Sequence, residues 1–486
     1  MNHTIKFHKW DKREMKQLNN SLRNILHVKE PQLYFPIMSL FFYIHNTTNS
    51  HRILDFERRY YLKEILNSET PTDFSSNILL VGKTVNKIDN IEENVNLFGK
   101  VIPLLDPIHY LLNNYNISNH RNHLLPSNYS FNTYSKINDM NNMAYIDIFF
   151  SYLVSNISIS NKNPSFPIYY GSVNGINDYK YDISDDIDEL KNHSGFKKNF
   201  NNIVVESISD NSSTSSYSSY STDSSDSSDS TNSTCSSDSD MDDYIVTIKN
   251  FPVAYLFIEK LEGTLEDIIK YSLSLPLLRS CLFQVTFALI YLQKHLHFTH
   301  NDLHINNVMY KSTDKPYLYY KFNNQYFKIP TYGKIFKIID FGRSIFTFRN
   351  KTYMNDVFSK FGEAEGQYTH PPQVSYLKTD LSNMVYPSYH FDLCRLAITM
   401  IDEIRYNHDD DLEDSDDYQD FLDFLKYLST DKHGTRLDKE EDNFNLYINI
   451  SKDAENSLPR DVILNPFFQE YRVKKKQFPK STYYSV

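Results

Sequence analysis

Apolar residues recur at helical spacing in three segments of the chain. One set comprises Leu278, Leu282, Val285, Leu289 and Leu292. A second set comprises Leu393, Leu396, Ala397, Met400, Ile401 and Ile404. Steps of three and four residues place each set on one face of an amphipathic helix. The apolar run "MAYIDIFFSYLVSNI" at 143–157 predicts a third helix.

Shorter apolar runs predict β-strands before residue 260. They are "FPIYYGSV" at 166–173, "YIVTI" at 244–248 and "VAYLFIEKL" at 253–261. The first 75 residues instead indicate helix, because "ILDFERRYYLKEIL" at 53–66 repeats apolar residues at near-helical spacing. Strands with one helix, followed mostly by helices, predict an α+β fold with two lobes.

This order of elements predicts the domain limits. Residues 1–75 form a helical extension, and residues 76–260 form a small, β-rich lobe. An insert at about 207–243 interrupts that lobe; it is rich in Ser and Asp, and its few apolar residues cannot repay the entropy of ordering. Residues 261–473 form a mostly helical lobe, and 474–486 form a basic, solvated tail.

Composition and charge narrow the functional classes. The net charge is −11, so a broadly basic face for nucleic acid is not expected. The three cysteines, Cys235, Cys281 and Cys394, show neither metal-site spacing nor an even disulfide framework, which predicts a reducing compartment. The N-terminus is polar, and the apolar run at 33–44 is too short to span a bilayer. We therefore predict a soluble, intracellular protein without membrane contact; the oligomeric state stays open.

The candidate chemistry lies in two polar stretches between apolar flanks. "HFTHNDLHINNVMY" at 297–310 leads from a predicted helix into a strand and contains Asp302 and Asn307. "IFKIIDFGRS" places Asp340 at the end of a second strand. Asn307 and Asp340 offer the oxygen ligands that Mg²⁺ prefers, and Asp302 could accept a proton from a substrate hydroxyl. The alternative is a polar turn with a satisfied, buried Asp and His.

These stretches resemble protein-kinase motifs. "HNDLHINN" resembles the catalytic loop H-R-D-L-x-x-x-N, and "DFG" at 340–342 resembles the metal-binding turn. His304, the hairpin between Asn307 and the DFG turn, and "YHFDLCRL" are similar to haspin kinases, although haspins replace the DFG turn. The resemblance implies a bilobal kinase-like fold that uses ATP and Mg²⁺ to phosphorylate Ser or Thr of a protein substrate.

The resemblance also assigns roles to residues of the helical lobe and the hinge. It implies that His304 lies near the transferred phosphate and that Asp392 holds the catalytic loop from beneath. "AYLFIEKLEGTLEDII" at 254–269 resembles the adenine-binding hinge. The backbone of Glu259 and Leu261 would bind adenine, with Ile258 as gatekeeper.

The nucleotide-binding motifs of the small lobe are degenerate. A G-x-G-x-x-G loop is absent, and the nearest candidate is Gly99. Lys83, Lys100 and Lys136 are candidates for the ATP-binding lysine. We predict Lys136, which precedes by eleven residues Asp147, the one acidic residue of the predicted helix that would carry the pairing glutamate.

The sequence is compatible with two further functions. A pseudokinase that scaffolds partner proteins would explain the missing glycine loop. A small-molecule hydroxyl kinase would explain His304, because such enzymes carry a similar H-x-D-L-H-x-x-N loop.

Overall fold

The computed structural model describes most of the chain. The described residues are 5–33, 35, 54–69, 76–115, 124–126, 133–198, 202–208, 215–216, 243–360, 362–368, 386–412, 415–440 and 443–486. Most of the predicted Ser/Asp-rich insert lies outside these residues, so that prediction stays untested.

A twisted antiparallel sheet forms the centre of the small lobe. The strands of this lobe are β1 (Phe7–Lys9), β2 (Lys29–Gln32), β3 (Leu54–Phe56), β4 (Tyr60–Glu69), β5 (Ile78–Asn86), β6 (Ile91–Pro103), β7 (Tyr169–Asp182), β8 (Ile203–Ile208), β9 (Ser215–Ser216) and β10 (Asp243–Glu259). The main sheet has the order β2-β7-β10-β6-β5-β4. The helices are α1 (Lys12–Ile25), α2 (Pro107–Leu111), α3 (Met143–Ile159), α4 (Ile187–Asn192) and α5 (Ser194–Lys198).

Helix α3 confirms the helix predicted at 143–157. Its N-cap is Asn142, whose side chain accepts a hydrogen bond from the N–H of Ala144. Nearly all of its side chains are buried, because the sheet covers one face and the large lobe covers another. Phe150, for example, stacks on Phe298 of the large lobe with 4.6 Å between ring centroids. A helix held on both sides in this way keeps its polar residues in fixed positions.

The prediction of a wholly helical extension over residues 1–75 is wrong. Helix α1 is present, but "LDF" and "YYLKEILNSE" form β3 and β4. The pairing of β4 with β5 shifts register twice, after Leu62 and after Ile65. Each shift displaces the strict alternation of buried and exposed positions. Tyr61, Leu62 and Ile65 can therefore all be buried in a strand, although their spacing is typical of a helix face.

The large lobe is mostly helical, as predicted. Its helices are α6 (Leu265–Ser272), α7 (Leu275–Leu296), α8 (Phe391–Leu412), α9 (Asp416–Leu428), α10 (Asn443–Asp453) and α11 (Pro459–Val462). Its strands are β11 (Gly263–Thr264), β12 (Val308–Ser312), β13 (Tyr317–Phe322), β14 (Gln325–Pro330), β15 (Lys334–Ile338), β16 (Ile345–Phe348), β17 (Lys351–Met354) and β18 (Tyr484–Ser485). The two-lobed α+β fold is confirmed.

Helix α7 is the central helix of the large lobe. Its predicted apolar face is buried, and the face predicted for α8 is buried as well. Among the described residues, α7 alone is long and apolar enough to cross a membrane. Most of its apolar stretch lies inside the fold, so we interpret α7 as a core helix.

The C-terminal residues are docked, not solvated as the basic tail was predicted to be. Strand β18 pairs in parallel with β13, and Tyr484 packs against Tyr320 at 5.4 Å between ring centroids. Phe478 contacts the rings of Tyr319 and Tyr326. These aromatic contacts hold the tail against the large lobe, while the lysines of "VKKKQ" remain exposed to solvent.

Candidate active site

The loop after α7 is held from beneath by the first turn of α8. Both carboxylate oxygens of Asp392 accept hydrogen bonds from the backbone N–H of His300, at 3.0 and 2.9 Å. The N–H of Asn301 donates to the same carboxylate at 3.0 Å. The ring Nε2 of His300 lies 2.9 Å from the carbonyl oxygen of Ile339. All of these polar side chains are buried, so Asp392 has the loop-anchoring position that the sequence predicted.

Asn301 joins this loop to the segment at 362–368. Its backbone has φ 64°, a left-handed conformation that Asn tolerates better than most residues. The hydroxyl of Tyr368 donates to its Oδ1 at 2.8 Å, and its Nδ2 donates to the carbonyl oxygen of Arg343 at 3.0 Å. Uncharged hydrogen bonds therefore fix the loop here.

The side chain of Asn307 closes the loop. Its Nδ2 donates to the backbone carbonyl oxygen of Asp302 at 2.8 Å and lies 3.0 Å from Nε2 of His304. The amide nitrogen thus faces the loop, and Oδ1 is the atom available to a metal. Burial lowers the pKa of His304 although Asp302 opposes the shift, so the imidazole is neutral at pH 7. His304 is placed to orient Asn307.

Asp340 lies beside Asn307 at the ends of two paired strands. Val308 of β12 pairs with Ile338 of β15, and the N–H of Ile339 donates to the carbonyl oxygen of Asn307 at 3.0 Å. Asp340 itself has φ 61°, which costs about 1–2 kcal/mol for a residue with a Cβ. Strain of this kind is common where a side chain must be aimed at a site.

Lys100 joins the small lobe to the large lobe through two carboxylates. Its Nζ lies 2.7 Å from Asp147 Oδ2 and 2.7 Å from Asp340 Oδ1. Lys100 lies on β6, Asp147 on α3 and Asp340 two residues after the end of β15. The other oxygen of Asp147 accepts a hydrogen bond from the backbone N–H of Phe341 at 3.1 Å. The ion pairs and this bond hold three separate elements at one point.

The pKa values of the two carboxylates in this cluster shift in opposite directions. The side chain of Asp147 is 1% exposed, whereas that of Asp340 is 41% exposed. Burial raises the pKa of Asp147 despite Lys100. Burial would also raise the pKa of Asp340, but Lys100 outweighs it and lowers that pKa to about 2. Asp340 is therefore ionised at neutral pH and open to a cation.

The hinge between the lobes contains a second, partly buried ion pair. The N–H of Glu259 donates to the carbonyl oxygen of Ile168 at 2.9 Å, and the Glu259 carboxylate pairs with Lys337 of β15. Lys337 also donates to the carbonyl oxygen of Phe166 at 2.9 Å. The N–H of Glu259 is thus already bonded, and only its carbonyl oxygen remains a predicted adenine contact. Ile258 and Leu261 are both buried, and their roles at the adenine remain predictions.

Comparisons with known proteins find local similarity to haspin kinases. No protein-family model matches the chain. A stretch of 77 residues is 39% identical to the serine/threonine-protein kinase haspin of Bos taurus, covering 16% of this chain and 10% of that protein. A stretch of 137 residues is 30% identical to haspin of Mus musculus, covering 27% of this chain and 17% of that protein. The fold is protein-kinase-like.

Two further similarities accompany this kinase-like fold. A stretch of 145 residues is 31% identical to uncharacterized protein 098R of Invertebrate iridescent virus 6, covering 26% of this chain and 22% of that protein. A solved structure, the ROP18 kinase domain in complex with AMP-PNP and sucrose, is 10% identical with a TM-score of 0.31, covering 96% of this chain and 95% of that one. The chain spans between 10% and 22% of the length of the three relatives in sequence.

The structure corrects two predictions for the small lobe. Lys136 forms an ion pair with Asp356 at 2.6 Å, so it is not the partner of Asp147. Gly99 lies within β6, opposite Phe257 of β10, and is not part of a loop over phosphates. The connection between β4 and β5, most of which lies outside the described residues, has the sequence "TPTDFSSN", which contains no glycine.

The sequence analysis included Lys100 among its candidates but favoured Lys136, and it missed Lys337, although a signal was present for both. Both lysines stand inside apolar strands, in "LFGKVI" and "IFKII". A lysine at such a position needs a buried partner, because burying an unpaired ammonium group is costly. A search for acidic residues on facing elements would have favoured Lys100 over the more polar surroundings of Lys136.

Replacing Asp392 with Ala should destabilise the protein by about 2–5 kcal/mol, since two buried N–H groups lose their acceptor. Burial raises the pKa of Asp392 to about 6, above the value of about 3.9 for an unfolded chain. The folded state therefore binds a proton at Asp392 more tightly than the unfolded state does. The contribution of Asp392 to the free energy of unfolding is lost as pH rises through about 6. The stability difference between wild type and Asp392→Ala should be larger at pH 4 than at pH 7.

Urea unfolding at both pH values measures this difference. Asp420→Ala, at an exposed position of α9, is the matched control and should change stability by about 0.5 kcal/mol or less. Equal unfolding midpoints for Asp392→Ala and Asp420→Ala would contradict the anchoring role of Asp392.

Proposed function

We propose that the protein is a Mg²⁺-dependent kinase that transfers the γ-phosphoryl group of ATP to Ser or Thr hydroxyls of a protein substrate. The observation that carries the proposal is the contact of Lys100 with both Asp147 and Asp340, directly beside Asn307. A partly buried lysine shared between two carboxylates, one of them open to solvent, is well suited to hold phosphate oxygens next to a cation.

The residues present fit a magnesium ion. Asp340 is ionised and partly exposed. The side-chain nitrogen of Asn307 donates to the carbonyl oxygen of Asp302, which leaves Oδ1 of Asn307 available as a metal ligand. Mg²⁺ is usually held by one or two such oxygen ligands together with phosphates and water. A bound Mg²⁺ would neutralise charge on the phosphates. Lys100 would contact phosphate oxygens, and the hinge at Glu259 and Leu261 would position the adenine.

Asp302 is the candidate base in this proposal. It follows Asn301 in a loop whose backbone is fixed by Asp392 and Asn307. Its own carboxylate is partly exposed and makes a hydrogen bond to a hydroxyl group. It is therefore able to orient an acceptor hydroxyl and take its proton, a role that contributes about 10²–10⁴-fold to a rate.

A scaffold without phosphoryl transfer is the second candidate, and one observation favours it. The β4–β5 connection contains no glycine, so close backbone approach to phosphates is not provided there as it is in most kinases. Against it stands the complete set of Lys100, Asp302, Asn307 and Asp340.

Nucleotide binding and transfer separate the two candidates. The full chain should gain thermal stability with Mg²⁺–ATP and lose that gain when EDTA is added. It should then transfer labelled phosphate from ATP to casein, with label on Ser or Thr. Stabilisation without transfer to casein or to a panel of hydroxylated metabolites would favour the scaffold. Transfer to a metabolite alone would identify a small-molecule kinase.

A further inference from the structure

Helix α10 brings a tyrosine hydroxyl to the candidate base. The hydroxyl of Tyr447 donates a hydrogen bond to Oδ1 of Asp302 at 2.7 Å. The ring of Tyr447 lies beside Phe391, at 5.7 Å between centroids, and under the guanidinium of Arg395, at 5.0 Å. Nε of Arg395 donates to the same hydroxyl oxygen at 3.3 Å. Contacts on several sides therefore fix the position of this oxygen.

This contact has the geometry of an acceptor facing its base. A hydroxyl that is to be phosphorylated must donate its proton to the catalytic carboxylate as the oxygen attacks phosphorus. Burial raises the pKa of Tyr447, and the charge of Asp302 raises it further, so the hydroxyl keeps its proton at neutral pH. The oxygen of Tyr447 thus needs a base, and the base of the proposed reaction is in contact with it.

We propose that Tyr447 is an intramolecular phosphate acceptor, modified by the active site of its own chain. This inference rests on the proposed function. In the reaction, a bond forms between Oη of Tyr447 and the γ-phosphorus of ATP, and the bond from that phosphorus to the β,γ-bridging oxygen breaks. ADP leaves with the bond electrons, and the hydroxyl proton passes to Asp302. The products are phosphotyrosine 447 and ADP, so no other reactant is required.

Two arginines are placed to receive the phosphate. Arg395 already contacts the acceptor oxygen. Arg343 interacts electrostatically with both Asp302 and Tyr447, and it also pairs with the exposed Glu363. Phosphate next to Asp302 brings like charges together, whereas arginine binds phosphate through strong, charge-assisted hydrogen bonds. The modified side chain should therefore move from Asp302 towards the arginines, which leaves the base open to an external hydroxyl.

The test uses the full chain, dephosphorylated and then incubated with Mg²⁺–ATP. Peptide mapping by mass spectrometry should find phosphate on Tyr447. The fraction modified per minute should not depend on protein concentration, because the acceptor belongs to the same molecule. In Tyr447→Phe this phosphate should be lost while transfer to casein rises, since Asp302 no longer shares its carboxylate with a hydroxyl. Tyr406→Phe, at an exposed position of α8, should match wild type in both assays.

Other outcomes are equally decisive. Transfer to casein with Tyr447 unmodified, or modification in proportion to protein concentration, would overturn the inference and leave the proposed function in place. Absence of transfer to both Tyr447 and casein would overturn the proposed function, and the inference with it. A fall in casein phosphorylation in a folded Tyr447→Phe, shown by an unchanged circular dichroism spectrum, would assign Tyr447 a positioning role instead.

Discussion

Replacing Lys100 with Met should lower phosphate transfer by about 10²–10³-fold, the usual loss when one group that stabilises charge in the transition state is removed. The substitution keeps the length of the side chain but removes the charge that pairs with Asp147 and Asp340. It also removes the cation that we expect to contact phosphate. The stabilisation of the chain by Mg²⁺–ATP should weaken together with the transfer rate.

The same substitution should reduce stability in a pH-dependent way. Asp147 is buried and loses its charge partner, so its pKa, which burial already raises, should rise further. A carboxyl whose pKa is higher in the folded state than in the unfolded state destabilises the fold as pH rises. The deficit of Lys100→Met should therefore grow from pH 4 to pH 7, reaching about 1–3 kcal/mol. Urea unfolding at each pH separates this loss from the loss of transfer.

Lys136→Met is the matched control for this experiment. It makes the same chemical change at the lysine that the sequence favoured, but Lys136 pairs with Asp356 and contacts neither Asp147 nor Asp340 among the described residues. Transfer by Lys136→Met should equal that of wild type. The opposite result would be loss of transfer in Lys136→Met and full transfer in Lys100→Met. It would show that the ion pairs of Lys100 stabilise the fold and have no role in phosphate transfer.

The contrast between these two lysines shows which parts of the site a sequence can predict. Asp302, Asn307 and Asp340 were predictable because short loops fix their spacing and the adjoining ends of β12 and β15 fix their direction. Local spacing does not choose among the candidate lysines in the same way, because the contact of Lys100 with Asp147 spans 47 residues and depends on how α3 packs against the sheet. Lys136 was favoured because it is close to Asp147 in sequence, whereas the pairing of β6 with β10 places Lys100 where it can contact Asp147.

Other differences have the same physical origin. The two register shifts in β4 make a strand look helical, and the docking of Tyr484 on Tyr320 joins positions far apart in sequence. Tyr447 lies 145 residues after Asp302, in a helix whose local pattern suggests only packing. The fold class, in contrast, was predictable, because it depends on the order and period of the apolar runs.

Replacing Asp302 with Asn should lower transfer to an external hydroxyl by about 10²–10⁴-fold, the contribution expected of a general base. The amide has almost the shape of the carboxylate, and the backbone of the loop is fixed independently by Asp392 and Asn307. The hydroxyl of Tyr447 can still donate to the amide oxygen. Nucleotide binding should be retained, because Lys100, Asn307 and Asp340 are unchanged.

Rates of transfer to casein and thermal shifts with Mg²⁺–ATP, measured on the same preparations, check this prediction. Asp314→Asn, at an exposed position in the loop after β12, makes the same chemical change and should behave as wild type in both assays.

Asp340→Asn should lose both phosphate transfer and the Mg²⁺-dependent part of the thermal shift, since it removes a metal ligand and not the base. A variant Asp302→Asn that transfers phosphate at the wild-type rate would show that Asp302 is not the base. The acceptor role of Tyr447 would then have no proton acceptor, so this one substitution tests both proposals.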